Sequence, residues 1–404
     1  MKPRSGAKLR WSEDNEIILL ENGLALFPAL CAAIDAARDS VHLETYIFRF
    51  DAVGTQLVDC LARACARGVK VRLAVDGYGS AATADALLAR LAEAGAQCRV
   101  YRPEPRRLGW LVPSRRRLRR LHRKTAVIDG EVAFVGGINI IDDYADEADA
   151  RRMDAPRFDY AVQLRGSVVA PLAHAQDLLW VRMNWARLRR RPFDWRRLRL
   201  WRPPLMPAEP AGGMRAALAL RDNLRHRKTI ETAYLQAIER ARSEIVIANA
   251  YFLPGRRFRK ALRLAVGRGV RVRLLLQGRV EYRMQYHATR SLYDELLRHG
   301  IEVYEYMPSY LHAKVAVIDD WSTVGSSNLD PFSLLLAREA NVMVDEPAFA
   351  ARLRASLELA IVSGGRRVLA HHYRRRSWPQ RLADAVSHAL LRLAVALTGR
   401  GAEY

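Results

Sequence analysis

Two stretches of this 404-residue chain carry the same three polar residues at the same spacing. His122, Lys124 and Asp129 form an H-x-K-x4-D pattern, followed by Gly136-Gly137-Ile138-Asn139. His312, Lys314 and Asp319 repeat it, followed by Gly325-Ser326-Ser327-Asn328. Both octets run through β-branched apolar residues and read as strands, in which residues two apart share a face. His122 therefore points with Lys124, and His312 with Lys314. An imidazole beside an ammonium suits attack on phosphorus: the ring is the nucleophile, while Lys124, Lys314, Asn139 and Asn328 hold the non-bridging oxygens as charge builds. Gly137 and Ser326 occupy matching places in the two turns. A lone histidine in an apolar strand is usually a satisfied core residue. Duplication with an adjacent lysine reverses that expectation. Asp129 and Asp319 lie past the strand ends, where an aspartate is expected to fix the local turn rather than react.

Each half also carries an acid that could orient its histidine. Asp159-Tyr160-Ala161-Val162 and Glu339-Ala340-Asn341-Val342 stand 180 residues apart in equivalent places. Asp159 is expected to accept a hydrogen bond from Nδ1 of His122, and Glu339 from Nδ1 of His312, leaving both Nε2 atoms free. No cluster has metal-ligand spacing, and the lysine pair can neutralise phosphate, so neither metal nor cofactor is expected.

The elements that must position these residues also come twice. In the first half, strands are expected at Ile17–Leu20, Val41–Phe48 and Val69–Asp76, with helices over Phe27–Arg38, Gly54–Ala66 and Ala84–Ala94. Arg67-Gly68 and Gly95 are helix stops, and Asp129-Gly130 is a hairpin turn. In the second half Ala237–Ala248 answers Ala33–Glu44, Gly269–Leu276 answers Gly68–Val75, and Gly300 answers Gly95. Alternating strands and helices predict an α/β fold of two related domains, each a mixed sheet covered by helices. The expected division is a first domain over 1–202, a Pro/Gly-rich linker over 203–213, a second domain over 214–365 and a basic amphipathic segment over 366–404.

The halves differ in one place. Their offset falls from 205 at Gly95/Gly300 to 190 at the histidines, which locates a surplus between Gly95 and His122. That surplus sets Arg115, Arg116 and Arg117 beside an apolar tip containing Trp110, a combination suited to anionic lipid headgroups. A second Trp/Arg cluster spans 180–202. Near the C-terminus, Arg374-Arg375-Arg376-Ser377-Trp378 precedes a helix whose apolar stripe is Leu382, Val386, Ala389, Leu390, Leu393 and Leu397. That stripe could face a bilayer or the protein core. The formal net charge of +23 suits a polyanionic partner, whether nucleic acid, membrane surface or phosphorylated substrate. Cys31, Cys60, Cys65 and Cys98 show no C-x-x-C spacing and read as small buried residues in a reducing compartment. No signal peptide and no spanning helix are expected.

Two H-x-K-x4-D motifs in one chain resemble the phospholipase D superfamily. Within it, Gly325–Pro331, Glu339–Val342, Leu43–Phe48, Asp76–Ser80, Arg221–Asn223 and Ala248–Gly255 look like the bacterial cardiolipin synthases. The likeness covers about residues 11–345 and falls to the branch without N-terminal transmembrane helices, often called cardiolipin synthase B. It implies two pseudo-twofold-related α-β-α sandwich domains with the active site between them. It also implies phosphatidyl transfer from one phosphatidylglycerol to the glycerol hydroxyl of another, through a phosphohistidine. By that analogy His122 is the nucleophile and His312 the acid/base. The expected place is the bacterial cell membrane, peripheral and on the cytoplasmic side, with phosphatidylglycerol and an anionic membrane surface as partners. No nucleic acid is expected, although a nuclease or other phosphodiesterase of the same superfamily is the alternative.

Overall fold

Strand residues alternate between two faces, and in this chain both faces are apolar, so each sheet must be covered on both sides. The computed structural model describes residues 9–104, 119–146, 152–188, 210–222, 226, 228–331, 333 and 337–397. The first half contributes β1 (Trp11–Glu21), β2 (Ser40–Thr45), β3 (Lys70–Asp76), β4 (Gln97–Tyr101), β5 (Lys124–Ile128), β6 (Val132–Gly136) and β7 (Tyr160–Arg165). The second half contributes β8 (Met214–Arg221), β9 (Glu244–Asn249), β10 (Arg271–Gln277), β11 (Glu302–Tyr306), β12 (Lys314–Ile318), β13 (Trp321–Gly325) and β14 (Glu339–Asp345). A short β15 (Gly365–Arg367) pairs with β11.

All of these strands join one sheet. Outward from its middle the order is β1-β7-β6-β5-β2-β3-β4 on one side and β8-β14-β13-β12-β9-β10-β11 on the other. The two halves are thus the same seven-strand plan, related by a pseudo-twofold axis at the antiparallel β1–β8 pair. The α/β reading and the duplicated order hold. The continuity of the sheet across the seam was not visible in the repeat.

The alternation of burial sorts the core. Val127, Val315 and Val317 pack into an apolar layer common to both halves, covered by the helix Pro347–Gly364. Their neighbours Ala126 and Ile128 face the helices Asn22–Ala36 and Ala52–Ala66. Ala316 and Ile318 face Thr229–Arg240 and Arg256–Gly267. Gly68 and Gly269 end corresponding helices at φ of 87° and 88°, a conformation that glycine adopts without a Cβ penalty. Cys31, Cys60 and Cys98 are buried and all four cysteines are free. Most of the expected linker lies outside the described residues, as do Trp110, Arg115, Arg116 and Arg117.

Candidate active site

The motif strands β5 and β12 are central in their halves, each between a hairpin partner and a helix-linked strand. The aspartates of the motifs sit at the far end of these strands. Asp129 and Gly130 take φ of 53° and 75°, the paired positive values of a tight hairpin turn. The Asp129 carboxylate accepts from the backbone N–H groups of Arg38, Asp39 and Ser40 at 2.9, 2.8 and 2.7 Å. Asp319 does the same for Arg242, Ser243 and Glu244 at 2.7, 3.1 and 3.0 Å. Both carboxylates tie the motif hairpin to the start of the neighbouring strand, and neither lines the cavity that holds the histidines.

At the near end, His122 and His312 line one cavity of about 400 Å³. Tyr46 and Tyr251 line it from the two halves, as do the matching Asn139 and Asn328. The residue before each histidine is pinned by a polar group at the end of an apolar strand. Leu121 N–H donates to Asp76 at 2.8 Å, and Leu311 N–H to the Gln277 side chain at 2.7 Å. Both pins are equivalent under the pseudo-twofold. Asp76 was legible as a strand end and within a family-like stretch, and Gln277 was not singled out.

The acids are in place but crossed, which corrects the expected pairing. Nδ1 of His122 lies 2.9 Å from Glu339, and Nδ1 of His312 lies 2.6 Å from Asp159. Asp159 does not orient His122, nor Glu339 His312. The backbone explains the crossing. His122 N–H donates to the Arg338 carbonyl at 3.0 Å, and His312 N–H to the Phe158 carbonyl at 2.8 Å. Parallel bridges Leu121–Arg338 and Phe158–Leu311 span the seam. Each acid therefore enters the site next to the opposite half's histidine.

Gly137 and Ser326 now acquire distinct reasons. Ser326 Oγ donates to Glu339 at 2.5 Å, supporting the carboxylate that holds His122. A Cβ on Gly137 would sit 2.4 Å from Asp159 Oδ1. The shorter acid in the first half needs a glycine in front of it; the longer one in the second has room for a serine.

The lysines lie behind the histidines, and neither lines the cavity. Lys124 Nζ donates to the His122 carbonyl at 3.0 Å and sits 5.3 Å from the Tyr46 ring centre. Lys314 Nζ donates to the His312 carbonyl and is 3.7 Å from Asp159. Burial pushes Lys124 down to about 7 and Lys314 down to about 8; the charge of Lys314 adds to the first shift and that of Arg157 to the second. Burial, followed by the charges of Lys314, Arg157 and Lys124, holds His312 well below its ordinary value. Burial lowers His122 too, against the opposing pull of Glu339. Burial raises Asp159 to about 6. Burial thus favours the neutral form of both imidazoles, and in that form a carboxylate at Nδ1 selects the tautomer with Nδ1–H donating and the Nε2 lone pair free.

Three cavity groups were not among the expected site residues. Arg157 and Glu281 form a buried ion pair at 2.9 Å between the two halves, and Tyr251 donates to Glu281 at 2.7 Å. Although burial opposes it, Arg157 holds Glu281 below the usual carboxylate range. Arg157 belongs to the insertion between Asn139 and Asp159, and a single arginine there gave no spacing signal. Asn139 accepts from the Ile47 N–H at 3.3 Å, while Asn328 Oδ1 is buried and has no partner among the described residues, which leaves it hydrogen-bonding capacity for a ligand. Among the described residues no group of His, Cys, Asp and Glu could hold a metal ion.

Two pseudosymmetric α/β halves that each deliver a histidine to a common cavity, with a lysine behind it, define a phospholipase D-like protein. The family described as "Cardiolipin synthase, PLD-like domain" matches residues 30–149 and 234–360, one segment per half. The chain belongs to that family. It is 38% identical over 407 residues to cardiolipin synthase B of Salmonella typhimurium, covering 97% of this chain and 91% of the relative. The Escherichia coli K12 cardiolipin synthase B is 39% identical over 395 residues, with the same coverages. Cardiolipin synthase A of Pseudomonas putida is 34% identical over 83% of this chain and 66% of its own length. Among solved structures, a phosphatidylserine synthase from Haemophilus influenzae superposes with a TM-score of 0.67 at 12% identity, covering 95% of both chains, which is a likeness of fold.

Proposed function

We propose that the chain is a cardiolipin synthase that joins two phosphatidylglycerol molecules into cardiolipin and glycerol. The observation that carries this reading is the pair of histidines in one cavity, each held at Nδ1 by the opposite half's carboxylate. In the first step His122 Nε2 attacks phosphorus, forming an N–P bond as the P–O bond to the head glycerol breaks. Protonated His312 gives its proton to that departing oxygen. In the second step His312 takes the proton from the glycerol hydroxyl of a second phosphatidylglycerol. That oxygen bonds to phosphorus while the N–P bond breaks, and both histidines return to their starting states.

The environment of His312 sets a condition on this assignment. Burial and the charges of Lys314, Arg157 and Lys124 disfavour its protonated form, which the phosphate charge of a bound lipid would favour. Lys124 and Lys314 place positive charge behind the histidines, where it favours the build-up of negative charge on phosphorus. Asn139 and Asn328 are the groups for the non-bridging oxygens. The proposed place is a membrane surface, peripheral and on the cytoplasmic side. Trp110, Arg115, Arg116 and Arg117 are proposed to bind anionic headgroups there. Among the described residues no helix is long and apolar enough to cross a membrane.

The test incubates purified protein with phosphatidylglycerol vesicles and, separately, with single-stranded DNA, each with and without EDTA. Cardiolipin and glycerol in equal amounts are expected, unaffected by EDTA and abolished in His122→Ala. DNA cleavage without lipid product would instead assign the +23 chain to the nucleases of the superfamily.

A further inference from the structure

A surface helix ordinarily turns its apolar stripe toward the core. The helix Trp378–Leu397 does the opposite. Its inward face is anchored by Asp384, which is 3% exposed, lies 2.8 Å from Nδ1 of His287 and pairs with Arg376. Leu391 is also buried on that face and lines the active-site cavity. Leu382, Val386, Leu390 and Leu393 form one stripe at helical spacing and are 53, 47, 51 and 57% exposed. Trp378 at the start of the helix is 75% exposed. About half of each of these side chains is left open, while the polar cluster around Asp384 and the buried Leu391 hold the inward face.

Two further observations say what covers it. The helix packs along Arg283–Arg290, and the exposed Met284 and Tyr282 stand at the start of that neighbour. Tyr282 also lines the cavity, so exposed apolar surface runs on to the cavity mouth. On the helix itself and in the turn before it, the exposed charges have one sign. Arg375, Arg381 and Arg392 are exposed, while Asp384, the helix's sole carboxylate, is buried and paired. A second copy of a +23 chain would be repelled by such a rim, whereas anionic headgroups match it.

We propose that this outward stripe is the membrane-docking surface: the helix lies in the interface of an anionic bilayer, apolar side down, and brings the cavity mouth to the lipid surface. Docking in this way lets a phospholipid headgroup reach the histidines while its acyl chains stay in the bilayer. This deepens the reading as a lipid phosphatidyltransferase and rests on it for the identity of the membrane lipid.

The test compares the full chain with a variant carrying Leu382→Ser, Val386→Ser, Leu390→Ser and Leu393→Ser. Flotation is measured with vesicles of equal phosphatidylglycerol and phosphatidylcholine, and with phosphatidylcholine alone. Affinity for the anionic vesicles should fall about 100-fold in the variant, given the apolar area withdrawn from contact. Turnover of short-chain phosphatidylglycerol dispersed below its micelle concentration should stay within about twofold, because none of the four residues lines the cavity. A second variant, Val386→Trp, reads insertion directly through added fluorescence that brominated phosphatidylglycerol quenches, and does not depend on the serine variant folding. Unchanged flotation of the serine variant, or no quenching at residue 386, overturns the proposal. So does a loss of self-association with flotation unaltered, which would assign the stripe to a second copy. Vesicle binding through the stripe without any cardiolipin formed would instead leave docking intact and defeat the proposed reaction.

Discussion

The crossed acids make a prediction that a pairing along each half would not. Glu339→Gln keeps the size of the side chain but replaces a carboxylate that can only accept by an amide that can donate. Its N–H can bond Nδ1 of His122 and favour the tautomer with the proton on Nε2, which has no lone pair to attack phosphorus. The loss of the corresponding orienting acid in a catalytic triad costs about 10,000-fold. Because Ser326 still donates to position 339 and the His122 backbone is tied to Arg338, the ring should stay in place. We expect about a 1,000- to 10,000-fold loss in kcat, or about 4 to 5.5 kcal/mol of barrier. The assay is rapid quench with a p-nitrophenyl phosphodiester, whose leaving group needs no acid. Asp159→Asn, which disturbs His312, should then retain a burst of nitrophenol, while Glu339→Gln should not. Peptide mapping of the trapped phosphoenzyme identifies the labelled histidine independently. The acid needed for the burst must come from the half opposite to that histidine. A burst acid and a labelled histidine in the same half would refute the crossed arrangement.

Other perturbations follow from the same contacts. Gly137→Ser pushes against the Asp159 carboxylate and should cut kcat at least about tenfold, whereas Ser326→Gly loses a hydrogen bond and should cost about 1 kcal/mol in a denaturant melt. Equal losses of kcat in the two would count against the steric reason. Arg157→Met leaves Glu281 buried without its counter-charge and should destabilise the protein by about 3 to 5 kcal/mol, part of which Glu281→Gln should restore in the double variant. No recovery would mean that the two residues are not coupled. Lys124 is held at about 7 in the folded chain, below its ordinary value, so its charge in the fold is a cost that is fully present below pH 7 and diminishes as pH rises toward the unfolded value. Lys124→Met should therefore raise Tm more at pH 6 than at pH 9, and a gain independent of pH would contradict that burden.

Much of the site was legible before any coordinates. His122, Lys124, His312 and Lys314 stood out because a nucleophile must come with a cation, and because the octet is repeated. The helix stops at Gly68 and the hairpin at Asp129-Gly130 follow from local backbone preference alone. The capping role of Asp129 and Asp319 came from their place past a strand end. Arg157 and Glu281 show where local reasoning ends. Each is a single polar residue in an unremarkable context, and only the folded chain gathers them around one cavity.

The helix Trp378–Leu397 divides the question in the same way. Its amphipathic period was plain in the sequence, but which side it would turn outward was not, because an apolar stripe is equally at home on a core or a bilayer. The partners of Asp384 decided it. The acids are the sharper case. Sequence by itself determined that each half holds a histidine, a lysine and a carboxylate, since these are properties of short strands and their ends. Which carboxylate meets which histidine was decided only by the β1–β8 seam and the bridges across it, because contacts between distant strands depend on how the halves join, and no local preference encodes that.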